Sequence, residues 1–260
     1  MAVNKIRTLT LALTLTTLVA CSPLPRPIAD RHVAQVSRAS ESLSYLAQSA
    51  PAPKPRRTHR VLAIKLDYQD HNLSCEAAAL RMALAYEGLV VDELTLMKYM
   101  SIDLRPARFD AHGRLITWGD PARAYVGNVD GHIESYTGYG VYNGPVARAV
   151  TRAGAHVVAS GSGLFGSGIS PTAIYNAVLD GHPVVAWISN TYHDVPLSRY
   201  VAYDGAAVWY TLTEHAVTVV GVRPGEVLIN DPWFGQAWHS KAQFESAYQT
   251  FDHMAVIVGR

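Results

Sequence analysis

A chain of 260 residues with 49% hydrophobic and 17% charged side chains can bury one sizeable core, or one core with an appendage, and is not a disordered polymer. Its formal net charge of +1, with Lys and Arg scattered along the chain, leaves no basic footprint for nucleic acid and excludes that class. Beyond the N-terminus no apolar run reaches the ~18 residues of a membrane-spanning helix, so any membrane contact would come from the N-terminal end.

That end reads "MAVNKIRTLTLALTLTTLVAC", with Lys5 and Arg7 set before an apolar and threonine-rich run from Leu9 to Val19, the layout of an export signal. Leu18-Val19-Ala20-Cys21 resembles a bacterial lipobox, which implies that Cys21 is diacylated and becomes the mature N-terminus. Residues 1–20 are therefore expected to be a signal peptide, and residues 21–59 a lipidated tether rich in Pro, Ala and Ser. The expected location is the cell envelope, on the periplasmic or extracellular side of a membrane. A helix between Ala34 and Ala47 would align Val36, Leu43 and Leu46, but so few apolar residues favour a solvated stalk.

Residues 60–260 are expected to form one folded domain. Val61, Leu62, Ile64 and Leu66 suggest a strand ending near Tyr68. The stretch "LSCEAAALRMALAYEG", Leu73 to Gly88, reads as a helix with Ser74 as N-cap and Gly88 as its stop. "VDELTLMKYM" and "GPVARAVTRAG" read as two more helices, and "SPTAIYNAVLDG" as a fourth, capped by Ser170, with Pro171 at its first position and Gly181 at its end. Strands follow at His182–Ser189, His215–Val222, Glu226–Asp231 and Met254–Gly259. Helices first and strands later is an α+β pattern.

The chain has two cysteines, and a lipidated Cys21 cannot pair, which leaves Cys75 unpaired in an oxidising compartment. On the first turn of a helix a thiol is exposed to unpaired backbone amides and to the dipole, both of which favour the nucleophilic thiolate. Such a thiol needs an imidazole to take its proton, a group to orient that imidazole and donors for the oxyanion. His215 opens one strand and Asp231 closes the next, so antiparallel pairing across "RPGE" would bring them together. Asn230 is the rival orienter, but strand alternation turns it to the opposite face. Gln69, six residues before Cys75, could offer its amide to an acyl oxygen. Taken singly, each residue also has a structural reading: Cys75 as core packing, His215 as a strand-end histidine, Asp231 as a turn starter.

Gln69, Cys75 on "AALRMAL", "EHAVTVVGV" with His215 and "VLINDPWFG" with Asp231, in that order, resemble the bacteriocin-processing (double-glycine leader) branch of the papain-like cysteine peptidases. The likeness runs from about Val61 to Val258 and takes in "WGDPARAYVG", "GYGVY" and "GHPVVAWI". It implies a papain-like α+β fold, with a helical half carrying the nucleophile and a C-terminal antiparallel sheet. It implies Cys75 as nucleophile, His215 as general base and acid, Asp231 as its orienter and Gln69 in the oxyanion hole, acting on a peptide or protein substrate without a cofactor. One departure stands out, because Glu76 and Ala77 follow the nucleophile where the family usually has glycine, often then proline. In a first turn a carboxylate favours the helix by about 0.3–1 kcal/mol. Beside a thiol it opposes thiolate formation, so a catalytically inactive module that binds peptide or serves as a scaffold is the alternative expectation.

Gly161, Gly163 and Gly166 fit G-x-G-x-x-G, with Asp180 downstream, but the next helix starts only at Ser170-Pro171, too late for a dinucleotide site. The loop is expected to be flexible and to lie near the cleft. The 11 histidines are dispersed and neither H-E-x-x-H nor C-x-x-C occurs, so no metal site is expected. Tyr136, Tyr139 and Tyr142 read as packing rather than as a sugar platform. Oligomeric state is not legible.

Overall fold

The computed structural model describes residues 57–260, which belong to the second of two units, 1–55 and 56–260. The signal peptide, Cys21, the Ala34–Ala47 segment and all but the end of the tether lie outside the described residues. No helix among the described residues is long and apolar enough to cross a membrane.

Five helices and three sheets alternate along the described chain. Strand β1 (Arg60–Val61) leads by an irregular stretch to helix α1 (Cys75–Tyr86), then α2 (Glu93–Met100). Five short strands follow, β2 (Ile102–Asp103), β3 (Arg108–Phe109), β4 (Leu115–Trp118), β5 (Tyr125–Gly127) and β6 (Gly138–Gly140). After α3 (Asn143–Arg152), β7 (His156–Gly161) and α4 (Pro171–Asp180) come β8 (Val184–Ser189), β9 (Ser198–Ala202) and β10 (Ala207–Tyr210). The chain closes with β11 (Glu214–Arg223), β12 (Glu226–Asp231), β13 (Gly235–Ser240), α5 (Lys241–Gln249) and β14 (Ala255–Gly259).

The central sheet runs β13-β12-β11-β8-β14-β7, with β1 on the flank of β11, and every pairing within it is antiparallel. The smaller sheets are β10-β9-β4-β3 and β2-β5-β6, and each contains one parallel pair. Alternation along β8 divides the core in two. Val185 and Trp187 join α1, α2 and α3 in one cluster, whereas Val184, Ala186 and Ile188 join α4 and α5 in the other.

Helix α1 crosses the middle of this arrangement, and Cys75 to Leu80 are all buried. Alanines suit that position, because small side chains let the helix backbone approach β11 closely enough for the Thr218 hydroxyl to donate to Ala79 O at 2.9 Å. Ser74 occupies the N-cap position but makes no cap bond. Its hydroxyl instead bonds within the preceding loop, to His71 N and O. Gly88, at φ +83°, ends the helix as expected.

Three further expectations are revised. The strand expected from Val61 to Tyr68 stops after Val61, because Ile64 N donates to Leu62 O at 2.8 Å and this three-residue turn takes the chain off the ladder. Leu62, whose N still donates to Val220 O at 2.8 Å, and Ile64 are nevertheless buried, so the apolar spacing beyond Val61 reflected packing more than pairing. Helix α5 interrupts the C-terminal strands, held by a capping box in which Ser240 and Gln243 satisfy each other's backbone amides. The glycine-rich loop after β7 is tied to the turn before β14, with Gly163 N donating to Asp252 O and Ile169 N to His253 O. It contributes no residue to the cleft that holds Cys75. Tyr139 and Tyr142 are buried, with their hydroxyls 2.9 Å apart, which agrees with the packing reading.

Candidate active site

Two local devices position the site. Cys75 is the first residue of α1, where the backbone amides of the opening turn have no partner within the helix. His215 and Asp231 come from the hairpin of β11 and β12, joined by Pro224 and Gly225, the latter at φ +79°. The antiparallel register pairs Thr218 with Asn230, which places Asp231 beside the start of β11. His215 Nε2 and Asp231 Oδ1 are 2.8 Å apart, and both side chains are buried. The same Asp231 oxygen accepts from Trp233 N at 2.8 Å and Phe234 N at 3.0 Å, and Tyr192 donates to the other oxygen at 3.3 Å. Burial alone would raise the Asp231 carboxyl. The His215 bond and charge and the two amides outweigh that and hold it below the ordinary carboxylate range.

Asn230 points the other way, as strand alternation requires, and donates to Ile64 O at 3.3 Å. Cys75, His215 and Gln69 line one cleft of about 400 Å³, walled also by Ile133, Tyr139, Leu212, Trp233 and Phe234. Gln69 is on the wall, but its amide NH2 donates to His71 O at 2.7 Å and Asn72 O at 2.9 Å, both in its own loop. To act on an oxyanion it must give up one of these bonds. Arg81, not singled out in the sequence, clamps this loop onto α1 by donating to Tyr68 O at 2.8 Å and pairing with Asp70 at 2.5 Å and Glu93 at 3.0 Å.

The thiol itself is engaged elsewhere. Cys75 Sγ donates to Glu76 Oε2 at 3.4 Å, and among the described residues no hydrogen bond joins it to His215. Glu76 is not a solvated helix starter, because it is fully buried and its Oε1 accepts from Val141 N at 2.5 Å. Glu214, the residue before His215, is also buried and carries its carboxyl to the same point, so that ligand atoms of Cys75, Glu76 and Glu214 lie within 4.8 Å of one another. Burial, then Glu76, then Glu214 push the Cys75 thiol well above its ordinary value. Burial raises Glu76 to about 7, against the opposing bond from Val141. Burial and the charge of Glu76 raise Glu214 well above the carboxylate range.

A carboxyl whose pKa is higher in the folded than in the unfolded state binds a proton in the fold that the unfolded chain has already released. Stability should therefore fall as pH rises from the ordinary value of 4.5 to about 7, and Glu76→Gln should flatten this part of the profile. Thermal midpoints of both proteins between pH 4.5 and 7.5 check it, and parallel curves would rule out Glu76 as the source.

Gly140, at φ +151°, makes room for the two acids. A Cβ there would come within 2.3 Å of Glu76 Oε1 and 3.0 Å of Glu214 Oε2. Gly140→Ala should lower stability by about 1–3 kcal/mol, read as a drop in denaturant midpoint at unchanged m-value. Neither acid was recognisable as a partner of the other in the sequence, where they stand far apart, although the departure at Glu76 marked the position.

Residues 61–256 match the Peptidase_C39 like family. The uncharacterized protein YvpB of Bacillus subtilis (strain 168) is 29% identical over 188 residues, covering 71% of this chain and 68% of that protein. A solved structure described as a C39-like peptidase from Bacillus anthracis superposes with a TM-score of 0.64 at 24% identity, over 78% of this chain and 98% of that one, and shares its α+β fold. A double glycine motif protease from an AMS/PCAT transporter, in complex with the leader peptide, gives a TM-score of 0.41 at 14% identity, over 76% of this chain and 93% of that one. With the family match running from β1 into β14, the chain belongs to the Peptidase_C39 like family.

Proposed function

We propose that the protein is a thiol hydrolase of peptide or isopeptide bonds, held at the cell envelope by a lipid on Cys21. The observation that carries this reading is the cleft that Cys75 and His215 share, with the imidazole held by Asp231 through Nε2, so that Nδ1 is left to exchange a proton with thiol and leaving group. In this scheme the thiolate attacks the scissile carbonyl, the His215 imidazolium returns the proton to the departing amine, and water then hydrolyses the thioester. The amide of Cys75, and Gln69 once released from its loop, stabilise the oxyanion. The apolar wall of Ile133, Tyr139, Leu212, Trp233 and Phe234 suits a peptide with apolar side chains near the scissile bond.

A second reading, a peptide-binding module without turnover, is favoured by one observation: the thiol bonds Glu76 rather than His215. Labelling with a peptidyl electrophile that requires a thiolate separates the two. Modification of Cys75 that is abolished in His215→Ala supports the hydrolase, and absence of labelling in the folded wild type overturns it. For the anchor, Cys21→Ser should release the protein from the membrane fraction or leave it unprocessed. A wild type that takes up no fatty-acid analogue would exclude lipidation.

A further inference from the structure

We propose that Cys75, Glu76 and Glu214 form a binding site for a thiophilic divalent cation, Zn²⁺ in the first instance, at the floor of the cleft. One soft sulfur and two carboxylates converge there, and their ligand atoms lie within 4.8 Å of one another. The Cys75 Sγ to Glu76 Oε2 distance of 3.4 Å already matches the separation of about 3.5 Å between a sulfur and an oxygen at two corners of a zinc tetrahedron.

A cluster of acids alone would be weak grounds, and the second observation is the state of Glu214. Only 7% of this residue is exposed, and its Oε1 has no hydrogen-bond partner among the described residues. A buried carboxyl oxygen with no donor is costly whether or not the group holds a proton, and a cation supplies what the protein does not. No lysine or arginine among the described residues pairs with either carboxyl.

The two acids are also pre-arranged. Glu76 Oε1 is fixed by Val141 N, which leaves Oε2 turned to the sulfur, and Gly140 keeps the space beside both carboxyls free of a side chain. Cys75 and Glu214 both line the cleft, so an ion can arrive from solvent and a fourth corner can hold water. A sulfur ligand excludes Mg²⁺ and Ca²⁺ as preferred occupants and favours Zn²⁺. On binding, the thiol and any protonated carboxyl release their protons to solvent and the cation takes their place, with no redox change. The consequence is a reversible block, because a metal-bound sulfur is unavailable to a carbonyl or an alkylating agent.

This inference stands apart from peptide turnover, and its test reads binding directly. Purified metal-free full-length protein is titrated with Co²⁺, whose bond to a thiolate gives a ligand-to-metal charge-transfer absorption, and then with Zn²⁺, which should bleach it. The expected result is one Co²⁺ per chain, a band lost in Cys75→Ser, and binding weakened by more than about tenfold in Glu214→Gln. Zinc should protect Cys75 from iodoacetamide, and EDTA should restore the reaction. Absence of the band overturns the proposal, as does Glu214→Gln with undiminished affinity, which would move the ion to Cys75 and His215. If Glu214→Gln proves unfolded by near-ultraviolet circular dichroism, Glu76→Gln provides the same comparison and keeps the Val141 acceptor.

Discussion

Cys75→Ala is expected to eliminate hydrolysis of any peptide substrate, with kcat/KM falling by at least about 10⁴-fold, and His215→Ala to fall nearly as far. Nucleophile and base act as a unit, so losing either forfeits most of what both supply. Asp231→Asn should retain more activity than either, because an amide oxygen can still accept the Nε2 proton and the amides of Trp233 and Phe234, and what is lost is the charge. Gln69→Ala is the informative member of the series. A loss of about 10²–10³ would mean that its amide leaves the His71 and Asn72 carbonyls to meet the oxyanion, since that is the worth of one such donor. A loss below tenfold would mean that the amide serves its own loop and that the Cys75 amide carries the charge. Retained turnover in Cys75→Ala would refute the assignment.

The second large effect concerns Glu76. Its carboxyl accepts from the Cys75 thiol and its charge raises the thiol, so Glu76→Gly, assayed in EDTA, should increase the rate of iodoacetamide alkylation near neutral pH and move its midpoint down. Each unit by which the thiol pKa drops multiplies the thiolate fraction about tenfold below the midpoint. Burial of Glu76 adds a cost that a surface position would not have. Val141 N loses its acceptor, which is worth about 1–3 kcal/mol, so the variant should also melt earlier. Glu76→Gln keeps that acceptor and should show the faster alkylation with less loss of stability. Alkylation curves that coincide for wild type and both variants would remove Glu76 from any control of the thiol.

What the sequence disclosed follows the range of the interactions involved. The start of α1, the capped and glycine-terminated α4, and the hairpin that joins His215 to Asp231 are set by neighbours within a few residues, and each was readable from spacing and turn chemistry. The short strands β2 to β6 carry two to four residues apiece, too few for alternation to show. The Ser240-x-x-Gln243 box that starts α5 was present as a motif but lay among strand-like runs. The site divides along the same line. Cys75, His215 and Asp231 were legible as motif residues, whereas Gly140, Glu76 and Glu214 converge from three separated segments, which only the tertiary fold brings together. Arg81 was hidden for a related reason, since an arginine on a helix gives no sign in the sequence of which loop it will hold.

The turn after β12 has an optical consequence. Its backbone amides hold Asp231, and its side chains Trp233 and Phe234, 54% and 66% exposed, form part of the cleft wall. Trp118 and Trp187 are fully buried and far less responsive to solvent, while Trp209, 40% exposed, and the half-buried Trp238 lie outside the cleft lining and give a background that a peptide in the cleft should leave unchanged. Trp233 is thus a built-in fluorophore at the mouth of the site, and a peptide entering the cleft should shift its emission to the blue and shield it from iodide. Occupancy can then be followed in unlabelled protein, in the Cys75→Ala background, without any chemical turnover.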